Sequence, residues 1–216
     1  MRLIGRYSSP YVRRVAVTMQ LYGLPYEHLS IMPFGDDQRT LLNHNPISRV
    51  PALQLDNDET LIDSVAIIDH LDTLVSDDVV LMPRNGPERR RTKTFVAVAL
   101  GSMEKLVAVL YERHFRPPEM QFSPWIERCE QQIRDGFEWL ENEFSGPYMT
   151  GDKPTEADIS LAVFWLFGSA KRPGFFKRLQ CRNIDRMSSN LAQTPAFRNT
   201  EPETQTLAAQ LTPSPD

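Results

Sequence analysis

Arg49-Val50-Pro51-Ala52-Leu53-Gln54-Leu55 decides how the first third of this chain folds. Val50 to Leu55 reads as an apolar strand, yet it carries a proline. Proline has no N–H for a ladder, so it marks an edge strand or a special bend. With Val50–Pro51 cis, Val50 turns its own N–H and C=O outward, where an extended peptide-like ligand can pair as an added strand. An ordinary edge-strand proline is the plainer alternative, and the residues leave both open. Asp56-Asn57-Asp58-Glu59 follows as a turn and Thr60-Leu61-Ile62 returns, which makes a β-hairpin.

Downstream, Asp63 or Ser64 caps a helix carrying Val65, Ile68, Leu71 and Val75. Upstream, Arg2-Leu3-Ile4 is a short strand. Pro10 to Tyr22 is a helix, because Val12, Val15, Ala16 and Met19 repeat at i, i+3, i+4 and i+7. Ser9 is its N-cap, Pro10 its first position and Gly23 its C′ residue. Tyr26 to Ile31 is a second strand, parallel to the first because a helix crosses between them. A short helix lies near Gln38 to Asn43. The order is β-α-β-α-β-β-α.

Two helix starts carry groups suited to an anion. Ser8 and Ser9 stand where a strand meets a helix, at unpaired N–H groups and the positive end of the dipole. A serine hydroxyl there either caps the helix or donates to an anion held in front of it. Asp63-Ser64 offers the same choice: a cap, or a grip on a zwitterion, with the carboxylate on an ammonium and the Ser64 hydroxyl and N–H on a carboxylate.

Ser76 to Pro87 is a linker by composition, with Asp77, Asp78, Pro83, Asn85 and Gly86. Beyond it strand signals stop. Glu88 to His114, Pro124 to Phe144 and Thr155 to Gly168 are helical, and Phe175 to Leu179 and Ile184 to Leu191 are shorter pieces. Trp125, Cys129, Ile133, Phe137 and Leu140 share one face of the second of these. Thr155-Glu156-Ala157-Asp158 is a capping box with Asp in place of Glu or Gln, and the helix after it is apolar almost all round, as a buried helix should be. Its role is folding.

The net charge is −4, with no overall basic excess of the kind a nucleic-acid binder shows. The run Arg89-Arg90-Arg91 with Lys93 reads as a solvated helix face. Cys129 and Cys181 lie far apart, form no C-x-x-C pair and read as reduced structural thiols. His28, His44, His70 and His114 have no metal-ligand spacing, so no metal is expected. The first residues lack the apolar core of a signal peptide, and Leu161 to Phe167 is too short to span a bilayer. The expectation is a cytoplasmic protein without membrane or nucleic-acid partners.

The β-α-β-α-β-β-α module, Ser9 at its first helix, Val50-Pro51 in its third strand, Asp63-Ser64 at its third helix and the helical remainder together resemble the glutathione transferase family, from Arg2 to about Pro202. The resemblance implies the glutathione transferase fold: an α/β thioredoxin-like glutathione-binding domain over residues 1–76 and an all-α C-terminal domain over 88–202. A linker at 77–87 joins them and a polar tail follows at 203–216. It implies glutathione as co-substrate and attack of its thiolate on a small apolar electrophile. Ser9 would stabilise the thiolate, with Ser8 as nearest substitute. Val50 would pair with the cysteinyl backbone, Asp63 and Ser64 would hold the γ-glutamyl end, and Arg49 would meet a ligand carboxylate. Tyr111, His114 and Phe115 would line the electrophile pocket. A homodimer engaged in detoxification is the implied assembly and role.

Departures refine this. Asp63 stands where Glu is more usual. No cysteine lies near Ser8 or Ser9, which argues against members that resolve mixed disulfides. Tyr7 lies too close to Pro10 for the tyrosine type, and Ser9-Pro10-Tyr11-Val12-Arg13 resembles the serine-type and bacterial branches. A glutathione-dependent isomerase or dehalogenase, in which the thiolate adds and later leaves, is the related alternative. A non-catalytic interaction module of the same fold is the rival.

Overall fold

The computed structural model describes residues 1–202 of the 216 in the chain; the polar tail expected at 203–216 lies outside the described residues. These residues form two compact units, 1–81 with 193–202, and 82–192.

In the first unit, β1 (Arg2–Ile4), β2 (Glu27–Leu29), β3 (Ala52–Gln54) and β4 (Thr60–Leu61) make a four-stranded sheet in the order β2-β1-β3-β4. Helices α1 (Pro10–Leu21), α2 (Gln38–Leu42) and α3 (Ser64–Thr73) accompany it. β2 runs parallel to β1 and β3 antiparallel to it, with Leu3 opposite both His28 and Leu53. Side chains alternate across a strand, so this register sorts the core into two layers. Leu3 and Leu53 pack with Val12, Val15, Ala16 and Met19 of α1 and Ile67, Ile68 and Leu71 of α3. Ile4 and Ala52 face the other way, onto Ile31 and Leu41. β2 is shorter than the Tyr26–Ile31 expected, because β1 offers it only three residues to pair with.

In the second unit, α4 (Gly86–Phe115), α5 (Ser123–Asn142), α6 (Glu156–Lys171), α7 (Pro173–Arg178) and α8 (Arg182–Ala192) pack together. The buried positions of α4, Phe95, Val96, Ala99, Met103, Leu106, Val109 and Leu110, follow helical spacing and meet α5 and α6. Gly136 of α5 permits a close crossing: a Cβ there would lie 2.0 Å from Ser102 Oγ. Among the described residues α4 is the one helix long and apolar enough to cross a membrane. Charged residues interrupt its apolar positions, and its apolar stripe packs on α5 and α6. Cys129 and Cys181 are buried and unbridged, and burial pushes the Cys181 thiol up to about 12.

One expectation changes. The sequence places 88–202 in the helical domain, but 193–202 group with the first unit. The reason is α9 (Pro195–Arg198), which packs on α1. The buried Arg13 guanidinium donates to the Phe197 carbonyl at 3.3 Å and sits 5.6 Å from that ring's centre. Burial pushes Arg13 below its ordinary pKa, opposed by Glu201.

Candidate active site

Ser9 occupies the N-cap of α1 with extended backbone, and Pro10 opens the helix. Its hydroxyl accepts from Val12 N–H at 3.5 Å, a long cap bond at the outer limit of such contacts. Its N–H donates to the Arg6 carbonyl at 3.0 Å, which closes the turn in front of the helix. Ser8 and Ser9 are both half-buried.

The Val50–Pro51 bond is cis, the form the sequence raised for it. Gly5 joins this bend to the start of α1. It has φ +121, and a Cβ on it would lie 2.7 Å from Val12 Cγ2 and 2.8 Å from Val50 Cβ. Only glycine takes that backbone without strain, and only a bare Cα fits the gap. Gly5→Ala is therefore expected to cost about 2–3 kcal/mol, read as a lower denaturant midpoint, from a φ penalty of about 1–3 kcal/mol plus the clash.

Asp63 is exposed and caps α3, accepting from Val65 N–H through Oδ1 at 2.9 Å. Ser64 is buried, and its hydroxyl accepts from Arg14 Nη1 at 3.2 Å. Arg14, 1% exposed in the second turn of α1, thus links α1 to the start of α3. Arg49 is exposed, and its carbonyl accepts from Asn45 Nδ2 at 2.7 Å. The Tyr7 hydroxyl is 2.8 Å from that of Tyr26.

Val12 of α1 and Val50 of the cis bend both crowd Gly5, and Arg14 ties Ser64 to α1. Tyr111, His114 and Phe115 lie in the second unit, exposed at the end of α4, with the Phe115 ring edge-on to both neighbours. Among the described residues no group of three or more His, Cys, Asp or Glu side chains is placed to hold a metal.

Residues 3–78 match the model of the glutathione S-transferase N-terminal domain, and residues 123–174 that of the C-terminal domain. A maleylacetoacetate isomerase of Pseudomonas aeruginosa is 32% identical over 213 residues, which cover 95% of this chain and 97% of that protein. The chain belongs to the glutathione transferase family. A GST-like protein of Escherichia coli, YibF, is 26% identical over 94% of this chain and 98% of its own length. A glutathione S-transferase of Methylobacterium radiotolerans, solved in complex with glutathione sulfonate, superimposes with a TM-score of 0.84 at 26% identity, covering 95% of this chain and 96% of that one.

Arg14, Gly5 and His28 make contacts that the sequence does not announce. Arg14 lies off the apolar stripe of α1 yet is buried. Gly5 follows a strand as an ordinary turn residue would. His28 enters the sequence reading only as a histidine without metal-ligand spacing. Each acts through a partner distant in sequence, so periodicity carries no signal for it.

Proposed function

We propose that this protein is a serine-type glutathione-dependent enzyme that binds glutathione on its first unit and uses the thiolate as a nucleophile. The observation that carries this reading is Ser9 at the start of α1, its hydroxyl only weakly engaged by the helix, on a helix whose Val12 crowds Gly5 together with Val50 of the cis bend. A helix start favours negative charge, and a hydroxyl aimed there can donate to a sulfur anion. Val50 would offer its backbone to the cysteinyl residue. Asp63 at the exposed start of α3 would meet the γ-glutamyl ammonium, with Ser64 and Arg14 setting the local positive field.

Two reactions follow from one thiolate. In conjugation, sulfur forms a bond to an electrophilic carbon and keeps it, so glutathione is consumed. In isomerisation, sulfur adds to an activated cis double bond, the carbon–carbon bond rotates while single, and sulfur leaves, so glutathione is regenerated. The isomerase from Pseudomonas aeruginosa, 32% identical over nearly the full length, gives the second reading equal standing.

The test is calorimetric binding of glutathione, then turnover with a panel of apolar electrophiles and with maleylacetoacetate, counting free thiol. Thiol loss supports conjugation, and turnover without thiol loss supports isomerisation. Binding with no turnover on either supports the interaction module, and no binding overturns the reading. We also expect a symmetric homodimer, the commonest oligomer, with light scattering near twice the 24.8 kDa chain mass. A mass near that of one chain would remove this expectation.

A further inference from the structure

We propose that His28 is a positioning residue for Ser9, holding the Gly5–Tyr7 turn that sets where the serine hydroxyl points; the inference rests on the glutathione reading above. β1 ends at Ile4, so the peptide groups of Gly5 lie beyond the regular ladder. β2 serves both of them. The Gly5 N–H donates to the Leu29 carbonyl at 2.9 Å. The Gly5 carbonyl lies 2.7 Å from His28 Nε2. A carbonyl oxygen only accepts, so Nε2 is the donor. Nε2 carries a proton in the neutral Nε2–H tautomer and in the imidazolium alike, so charging the ring does not break the contact.

The same ring stacks on Tyr7, with centroids 4.0 Å apart and planes 5° from parallel, and the Tyr7 hydroxyl meets that of Tyr26. Tyr26, His28 and Leu29 therefore grip the turn at Gly5 and at Tyr7. The turn has little freedom elsewhere, since Gly5 is wedged between Val12 and Val50 and the Arg6 carbonyl holds the Ser9 N–H. Removing the His28 donor leaves a buried carbonyl unpaired, and the peptide rotates to find a partner. That rotation moves Ser9 relative to Val50, the two groups assigned to one ligand. Small misplacements of this kind cost on the order of 10- to 100-fold in rate.

The experiment compares the full chain with His28→Phe, which keeps a ring and loses the donor, and His28→Gln, which puts a donor nitrogen near the Nε2 position. Ultraviolet thiolate absorbance of bound glutathione is followed against pH. We expect His28→Phe to show about tenfold less thiolate at neutral pH and a matching fall in kcat, with His28→Gln restoring most of both. Identical thiolate titrations in all three proteins overturn the proposal. Amide exchange of Ser9 without glutathione reads the turn directly. It should speed up in His28→Phe and recover in His28→Gln, and unchanged exchange overturns the proposal whether or not glutathione binds. Wild type that shows no bound thiolate defeats the glutathione reading instead, a different result. If His28→Phe does not fold, His28→Asn, too short to reach Gly5, takes its place.

Discussion

Ser9→Ala is expected to lower kcat/KM at neutral pH by about 10- to 100-fold while leaving the fold nearly intact. A free thiol has a pKa of about 8.5 and is only a few per cent ionised near pH 7. A hydroxyl donating to the thiolate contributes about 1.5–3 kcal/mol, and the start of α1 adds about 0.3–1 kcal/mol. At about 1.4 kcal/mol per pKa unit, these terms bring the bound thiol close to neutrality. The same hydroxyl does little for the helix, because its bond to Val12 N–H is 3.5 Å long. Its loss as a cap should cost at most about 1 kcal/mol. A pH–rate profile separates the two effects: Ser9→Ala should regain most of its rate as pH rises. Ser8→Ala is the control. A shifted profile in Ser8→Ala alone would exchange the roles of the two serines. If neither shifts, Tyr7 or backbone N–H groups become the candidates, the Tyr7 hydroxyl being able to accept from Tyr26 and still donate.

Local chemistry made much of this molecule legible. Ser9, Pro10 and Gly23 bound α1 as cap, first turn and stop, and the structure starts that helix at Pro10. Asp63 caps α3 in the same way. The proline in an otherwise apolar strand marked the bend that proved to be cis. The candidate site was legible at its helix starts, where residue type alone states the chemistry. The remainder depends on what the chain brings together from afar. The burial of Arg14 is set by Ser64, fifty positions later, and that of Arg13 by Phe197 at the other end of the sequence. No window on the sequence contains both partners, so the grouping of 193–202 with the first unit and the tie from Arg13 to Phe197 carried no signal. Gly5 shows the same limit in part, because one of the two side chains that crowd it is the distant Val50.

Asp158→Ala is expected to destabilise the protein by about 3–4 kcal/mol, a large share of the 5–15 kcal/mol typical of a folded domain. Asp158 is fully buried at the start of α6. Its Oδ2 accepts from the Thr155 N–H and hydroxyl, both at 2.8 Å, and closes the capping box. Its Oδ1 accepts from Met149 N–H at 2.7 Å, which pins the preceding loop to the helix. Alanine leaves two backbone donors without their partner, at about 1–3 kcal/mol each. The cost also depends on pH, with a definite sign. Burial pushes the Asp158 carboxyl up, and the Met149 and Thr155 donors pull it down without cancelling the rise. The folded chain therefore binds this proton more tightly than the unfolded chain, whose carboxyl titrates near about 3.9. Stability from this group is complete below that value and is lost as pH rises through the raised folded value. The gap between wild type and Asp158→Ala should accordingly widen on acidification. Urea melts of both proteins from about pH 7 to about pH 4 measure it. A gap that narrows instead would mean that the three donors outweigh burial and hold the carboxyl below its ordinary value.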